Sequence, residues 1–418
     1  MKKRWIAAFI SVCMTALACA CAAEPEKPDT PVQSAKKKET PEDAAELAKQ
    51  AKLDIISPSA YGNVDGLGVE PATYFSIIGK GATEEYWSKV KKGAEAAVAD
   101  LNKALDYEGN DRVKVVYSGP SESDNVDEQV NILDEELARY PSALGIAVID
   151  SQSCNVQFDL AVQNGIPVVT YDSESSYQGI MANISTDNRK ASAEAAAHMA
   201  ETLDEKGQVL VLGHDSRSMT CIERTEGFAA EIKENHSEMS TTNIYYMDKL
   251  DELKEKIARE RAGLPEAEED EPSEASEGNH SDDGSDSADT SDNGEITEEA
   301  LQEISDEEVY HYIFDNNPDI KGVFATNGQA AMQMVSLCEE QERDMVIIGY
   351  DADKEEVEAL KEGKLFGLVV QNPYGMGYAT IVAEARCVLE SGNEAEIDTG
   401  YTWVTADNID SKEVQRML

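Results

Sequence analysis

From Tyr74 onward the chain alternates short apolar runs with longer amphipathic stretches, and this rhythm leaves few folds open to it. Phe75–Ile78, Val113–Tyr117, Gly145–Ile149 and Pro167–Tyr171 read as buried strands. Between them, Glu84–Leu105, Val126–Tyr140 and Asn155–Asn164 carry helical patterning. The rhythm then repeats. Val209–Gly213, Thr242–Tyr246, Gly322–Ala325, Val346–Gly349 and Gly367–Val370 read as strands, with helices at Arg189–Leu203 and Ile222–Asn235. Strands joined through helices imply parallel sheets covered on both faces. So many strands exceed one comfortable sheet, which predicts an α/β protein of two similar lobes.

Three regions fall outside this rhythm. Lys2, Lys3 and Arg4 form a positive head before the apolar run Trp5 to Ala18, which is shorter than the roughly 20 residues of a membrane span. The run ends in Ala16-Leu17-Ala18-Cys19-Ala20-Cys21 and resembles a bacterial lipobox, in which a cysteine receives a diacylglycerol. Both Cys19 and Cys21 fit, and an ordinary cleaved leader is the alternative; residues 1–21 are read as a lipoprotein signal peptide. Residues 22–72, interrupted by Pro25, Pro28, Pro31 and Pro41, are expected to be a flexible tether, with a short helix possible over Pro41 to Leu53. Residues 265–294 are almost wholly Glu, Asp, Ser, Ala, Gly, Asn and Pro, and are expected to be a disordered acidic insertion. It interrupts the second repeat after a helical arm, Leu250–Arg261, and before a helix at Glu307–Asn316.

Composition removes several function classes. The 83 acidic residues against 36 basic ones give a formal net charge of -47, the wrong sign for nucleic acid and for anionic headgroups. Beyond the leader, Cys154, Cys221, Cys338 and Cys387 are widely spaced and lack neighbouring histidines, so no metal site is expected. Asp289-Thr290-Ser291-Asp292-Asn293-Gly294-Glu295-Ile296-Thr297 resembles a calcium loop, but its twelfth position is Ala300 where a bidentate Glu belongs. The five histidines form no recognisable triad or metalloprotease pattern, and Gly79-Lys80-Gly81-Ala82-Thr83-Glu84 lacks the last glycine of a dinucleotide loop. No enzyme and no cofactor are expected.

Ligands of open parallel sheets bind beyond the carboxyl ends of the strands. Polar residues directly after apolar runs are therefore informative: Asp172, Asn327, Asp351 and Gln371. Any one of them could serve a turn or a cap; four in series point to a site. Tyr86 and Trp87 open the first helix and could pack on the apolar face of a sugar ring, or simply in a core.

Several stretches resemble the type I periplasmic sugar-binding proteins: Ile78-Gly79-Lys80-Gly81, Glu84-Glu85-Tyr86-Trp87, Gly165 to Asp172, Thr186-Asp187-Asn188, Pro318 to Asn327, Ile348 to Asp351, and Gln371 to Gly377. They run in order from Tyr74 to Asn408, and the chain is similar to the ribose, allose and galactose binders of ABC importers. The resemblance implies two Rossmann-like lobes joined by three crossovers, residues 73–186 with 372–400 and residues 187–371 with 401–418, around a ligand cleft. It implies sugar stacking by Tyr86 and Trp87, and hydroxyl contacts from Asp172, Asn327, Asp351 and Gln371. Glu84, Ser173 and Arg224 join the candidate ligand-binding set; Glu84 and Ser173 stand where ribose binders carry other residues, and Arg224 could instead be structural. Partners so implied are a carbohydrate, an ABC permease and, through lipid, the outer face of the cell membrane, with the protein a monomer. A receptor that reports ligand occupancy to a membrane kinase, or one for a non-sugar polar ligand, is the alternative.

Overall fold

The computed structural model describes residues 40–265 and 296–418. The leader with Cys19 and Cys21, residues 22–39 of the expected tether and almost all of the acidic insertion lie outside them. No helix among the described residues is long and apolar enough to cross a membrane.

The first sheet contains β1 (Tyr74–Ile78), β2 (Lys114–Ser118), β3 (Ala143–Ile146), β4 (Val168–Tyr171), β5 (Asn183–Ser185) and β11 (Glu396–Asp398). The second contains β6 (Gly207–Gly213), β7 (Met239–Tyr246), β8 (Ile320–Ala325), β9 (Val346–Tyr350), β10 (Gly367–Gln371) and β12 (Tyr401–Val404). Their spatial orders are β11-β5-β4-β3-β1-β2 and β12-β10-β9-β8-β6-β7, so the two lobes share one topology. All pairings are parallel except β12 on β10. The central strands are buried on both faces, which is why they read as unbroken apolar runs.

Helices α1 (Pro41–Asp54), α2 (Glu85–Ala104), α3 (Val126–Leu137), α4 (Asn155–Gln163), α5 (Asn188–Thr202), α6 (Met219–Asn235), α7 (Leu250–Ala262), α8 (Glu298–Gln302), α9 (Asp306–Asn316), α10 (Gly328–Glu340), α11 (Lys354–Lys361), α12 (Pro373–Val388) and α13 (Lys412–Met417) cover the sheets and edges. α2 buries Trp87, Val90, Ala94, Ala97, Val98 and Leu101, a 3.6-period stripe. It crosses α12 closely: a Cβ on Gly93 would overlap the carbonyl of Tyr374, and one on Gly377 that of Val90. This contact fixes the helix that carries Tyr86 and Trp87.

The tether expectation fails for residues 40–72. α1 forms behind a Thr40–Asp43 capping box, and Leu53, Ile56, Tyr61, Val64, Leu67 and Val69 join the core of the first lobe. Spaced singly among polar residues and glycines, these apolar side chains carry no period, yet the lobe offers each a place to bury.

The chain passes between the sheets three times: after β5, after β10, and between β11 and β12. The crossovers are bonded to one another. The Thr399 amide donates to the Ser185 carbonyl at 2.9 Å, and Thr186 Oγ1 donates to Gln371 Oε1 at 3.1 Å. Asn372, fully buried, donates to the Thr399 carbonyl at 2.9 Å while its Oδ1 caps α12.

Candidate functional site

At the ends of corresponding strands the two lobes repeat a dipeptide. Tyr171-Asp172 closes β4, and Tyr350-Asp351 closes β9. The Asp172 amide donates to Ile184 of β5 and the Asp351 amide to Val369 of β10, both at 2.9 Å. Both aspartates leave the sheet in left-handed backbone, φ 60° and 74°, a conformation Asp tolerates better than most residues. The turn carries each carboxylate off its strand end into the space between the lobes.

In the first lobe Asp172 is already engaged. Tyr86 Oη donates to Oδ1 at 2.7 Å, and Lys80 Nζ lies 3.5 Å from Oδ2 with both side chains under a tenth exposed. Burial pushes the Tyr86 phenol well above its usual range, reinforced by Asp172 and by Asp351 from the other lobe. Trp87 meets Tyr86 edge-on, ring centres 5.0 Å apart, but is itself built into the core of the lobe. Tyr86 is thus the aromatic ring of the pair that reaches the cleft. Glu84 ties its own loop to the loop after β2, accepting from the Thr83 amide at 3.1 Å and from Ser123 Oγ. Ser173 is 1% exposed, and its hydroxyl has no protein partner.

In the second lobe Arg224, 3% exposed, is held from three sides. Its Nε donates to Asn188 Oδ1 at 2.8 Å, its Nη1 to the Thr326 carbonyl at 2.8 Å, and its plane stacks on Tyr350 at 4.1 Å. Burial alone would lower the guanidinium; Tyr350, Asp351, Asp172 and Tyr86 outweigh it and hold it above its ordinary value. Asp351 accepts from Gln371 Nε2 at 2.8 Å. Burial raises its carboxyl, with Arg224 and Gln371 opposing and Asp172 adding to the rise. Asn327 accepts from the Ala330 amide and caps α10, so its carbonyl oxygen is occupied by the fold.

Asp172, Tyr86, Arg224, Asp351 and Gln371 therefore come together from both lobes, while Glu84 is held between two loops of the first lobe, Trp87 in its core, and Asn327 on its own helix. Two further groups share the space. Lys80 follows β1 and His214 follows β6, and the strand-end rule points to both once it is applied to those strands. Burial pushes His214 below its ordinary range against the opposing pull of Asp215, and its Nδ1 lies 2.7 Å from Thr326 Oγ1. Asp215 beside it is held below the usual carboxylate range by His214 and Lys80, against the effect of burial. Among the described residues no cluster of His, Cys, Asp and Glu has the arrangement of a metal site.

Two lobes of one topology, three bonded crossovers and a polar, charge-paired space between strand ends define a two-lobed binding protein. The model of the periplasmic binding protein domain family matches residues 75–260 and 294–386, and the chain belongs to that family. A ribose import binding protein of Bacillus subtilis is 22% identical over 277 residues, 66% of this chain and 72% of that protein. The arabinose-binding protein AraP of Geobacillus stearothermophilus shares the fold with a TM-score of 0.58 and 24% identity, over 81% of this chain and 99% of its own. A solute-binding protein of Agrobacterium vitis, solved with α-D-tagatopyranose, aligns with a TM-score of 0.62 and 19% identity, over 83% and 99%.

Proposed function

We propose that the protein captures a single small sugar between its lobes and delivers it to an ABC importer at the outer face of the cell membrane, to which a lipid on Cys19 or Cys21 ties it. The observation that carries this reading is the pairing of Asp172 and Asp351 on equivalent strand ends, with Lys80 and Arg224 among them. Each sugar hydroxyl is one donor and two acceptors, so carboxylates can take its proton while the ammonium and guanidinium meet its lone pairs. Tyr86 supplies the ring against which the C–H face of a pyranose packs. The names of the relatives, binders of ribose, arabinose and tagatose, support the same class of ligand. Bond-making chemistry is not part of this reading. The monomer is the functional unit, since one chain provides both halves of the cleft.

The test is a thermal-shift screen of the protein against pentoses, hexoses, polyols, nucleosides and amino acids. A ligand that binds the folded state at 100 times its Kd adds about 2.7 kcal/mol of stability. The expected result is a rise in Tm with a pentose or hexose. A rise only with a nucleoside or an amino acid would overturn the sugar assignment and keep the fold.

A further inference from the structure

The segment that precedes the first sheet is woven into the hinge. The Ser57 amide donates to the Asp398 carbonyl at 2.8 Å, and the Asp398 amide returns a bond to the Ser57 carbonyl at 2.9 Å, an isolated antiparallel bridge on the end of β11. The Lys52 carbonyl accepts from Asn372 Nδ2 at 2.7 Å, the same amide group that bonds Thr399. Ile55 lies against Gly400, where an added Cβ would stand 2.9 Å from Ile55 Cδ1 and where φ is +74°. Residues 52–57 thus touch two of the three crossovers, at Asn372 and at 398–400, directly.

α1 extends this contact to both lobes. On the first, Lys49 Nζ pairs with Asp100 at 2.6 Å, and Tyr378 of α12 donates to that carboxylate at 2.9 Å. Lys52 lies over the ring of Tyr374 at 5.7 Å, and Leu53 enters the core. On the second, α1 runs beside α13, the last helix of the chain, whose Val414 and Met417 are buried. The matched span of the family begins at residue 75, so this segment lies outside it.

From this arrangement we propose that residues 40–57 are a hinge strap, a fourth link between the lobes, which favours their closed arrangement from outside the cleft. In this proposal the α1–α13 contact belongs to the closed arrangement and is the one given up when the lobes swing apart. Interactions made in one arrangement and lost in the other shift the equilibrium by their difference. The strap therefore acts as a positioning element: it sets how far the empty protein opens and how much of it is competent to hold solute, with no side chain in the site. The proposal goes beyond sugar capture and holds for any solute.

The experiment compares the full-length chain with Ala48→Pro and Ile55→Ala by small-angle X-ray scattering without ligand, alongside amide hydrogen exchange. Ala48→Pro breaks α1 in its middle, where Pro removes a helical hydrogen bond and clashes with the carbonyl four residues back. Ile55 is 37% exposed, so its truncation leaves the core of the lobe intact and removes only the packing on Gly400. The expected result is a larger radius of gyration in both variants, greater for Ala48→Pro, with faster exchange at the Asp398 amide. A radius and an Asp398 exchange rate equal to those of the parent in Ile55→Ala, or in an Ala48→Pro chain whose α1 amides have lost protection, would overturn the strap. Because no ligand is present, that failure is distinct from a failure of the sugar assignment.

Discussion

The two lobes present the same strand order and the same Tyr-Asp strand end, yet they bring different halves to the cleft. In the first lobe the aspartate is closed in an ion pair with Lys80 and a hydrogen bond from Tyr86. In the second the cation stays apart from the aspartate: Arg224 spends its donors on Asn188 and Thr326, and Asp351 has Gln371. Tyr350 reaches Ser192 at 2.7 Å, whereas the Tyr171 hydroxyl, equally buried, has no partner. Equivalent backbone therefore does not enforce equivalent chemistry. The first half is a preassembled charged platform, and the second is an acceptor whose carboxyl is raised by burial and eased by incoming donors.

The comparison is broken most directly by removing each aspartate in turn. Asp172→Asn removes the ion-pair partner of the buried Lys80 ammonium and leaves it only the more distant Asp124 and Asp215, a change that costs at most roughly 3–5 kcal/mol in such pairs. Asp351→Asn keeps an acceptor for Gln371 and breaks no ion pair, so its stability cost is below about 1 kcal/mol. Both variants lose the sugar-induced rise in Tm. Chemical denaturation that returned equal stabilities for the two would remove the distinction between the halves.

A smaller effect sharpens the second half. Glu356 of α11 is buried beneath the Asp351 strand end, and burial pushes its carboxyl up to about 9. Since the folded value lies above the unfolded one, the neutral acid favours folding fully below about pH 4.5. That contribution is lost as pH rises toward 9. Glu356→Gln removes the titration, so its Tm falls less than the parent's between pH 5 and 9. Parallel Tm curves for the two proteins would place this ionisation elsewhere.

The smallest expected effect is at Ser173. Its hydroxyl is buried and unpartnered, so Ser173→Ala changes stability little, because deleting an unsatisfied group removes no bond. If the hydroxyl contacts the solute, as the cleft reading holds, calorimetry gives a Kd weakened by about tenfold, the worth of one hydrogen bond. An unchanged Kd takes Ser173 out of the site.

Much of this architecture was legible before any coordinates. The strands of both sheet centres stand within a few residues of their apolar runs, because burial on both faces writes itself as consecutive apolar residues. β5, β11 and β12 were not legible. Asn183-Ile184-Ser185 and Glu396-Ile397-Asp398 are short and mainly polar, and β4 recruits the first, which in turn recruits the second as the edge. At the site, the strand-end rule reached Asp172, Asp351 and Gln371. It also named Asn327, whose oxygen the fold uses as a helix cap.

By itself, then, the sequence determined the α/β class, the repeated two-lobe plan and the acidic strand ends, since all three follow from local periodicity and from what must come after a buried strand. Only the tertiary structure decided which of those polar groups pair, that Lys80 meets Asp172 across a sequence separation no pattern spans, and that residues 40–57 close on the hinge instead of trailing from it. The physical reason is the same in each case. Pairing and docking depend on which surfaces the folded lobes bring within a few ångströms, and that distance is not a property of any local stretch of chain.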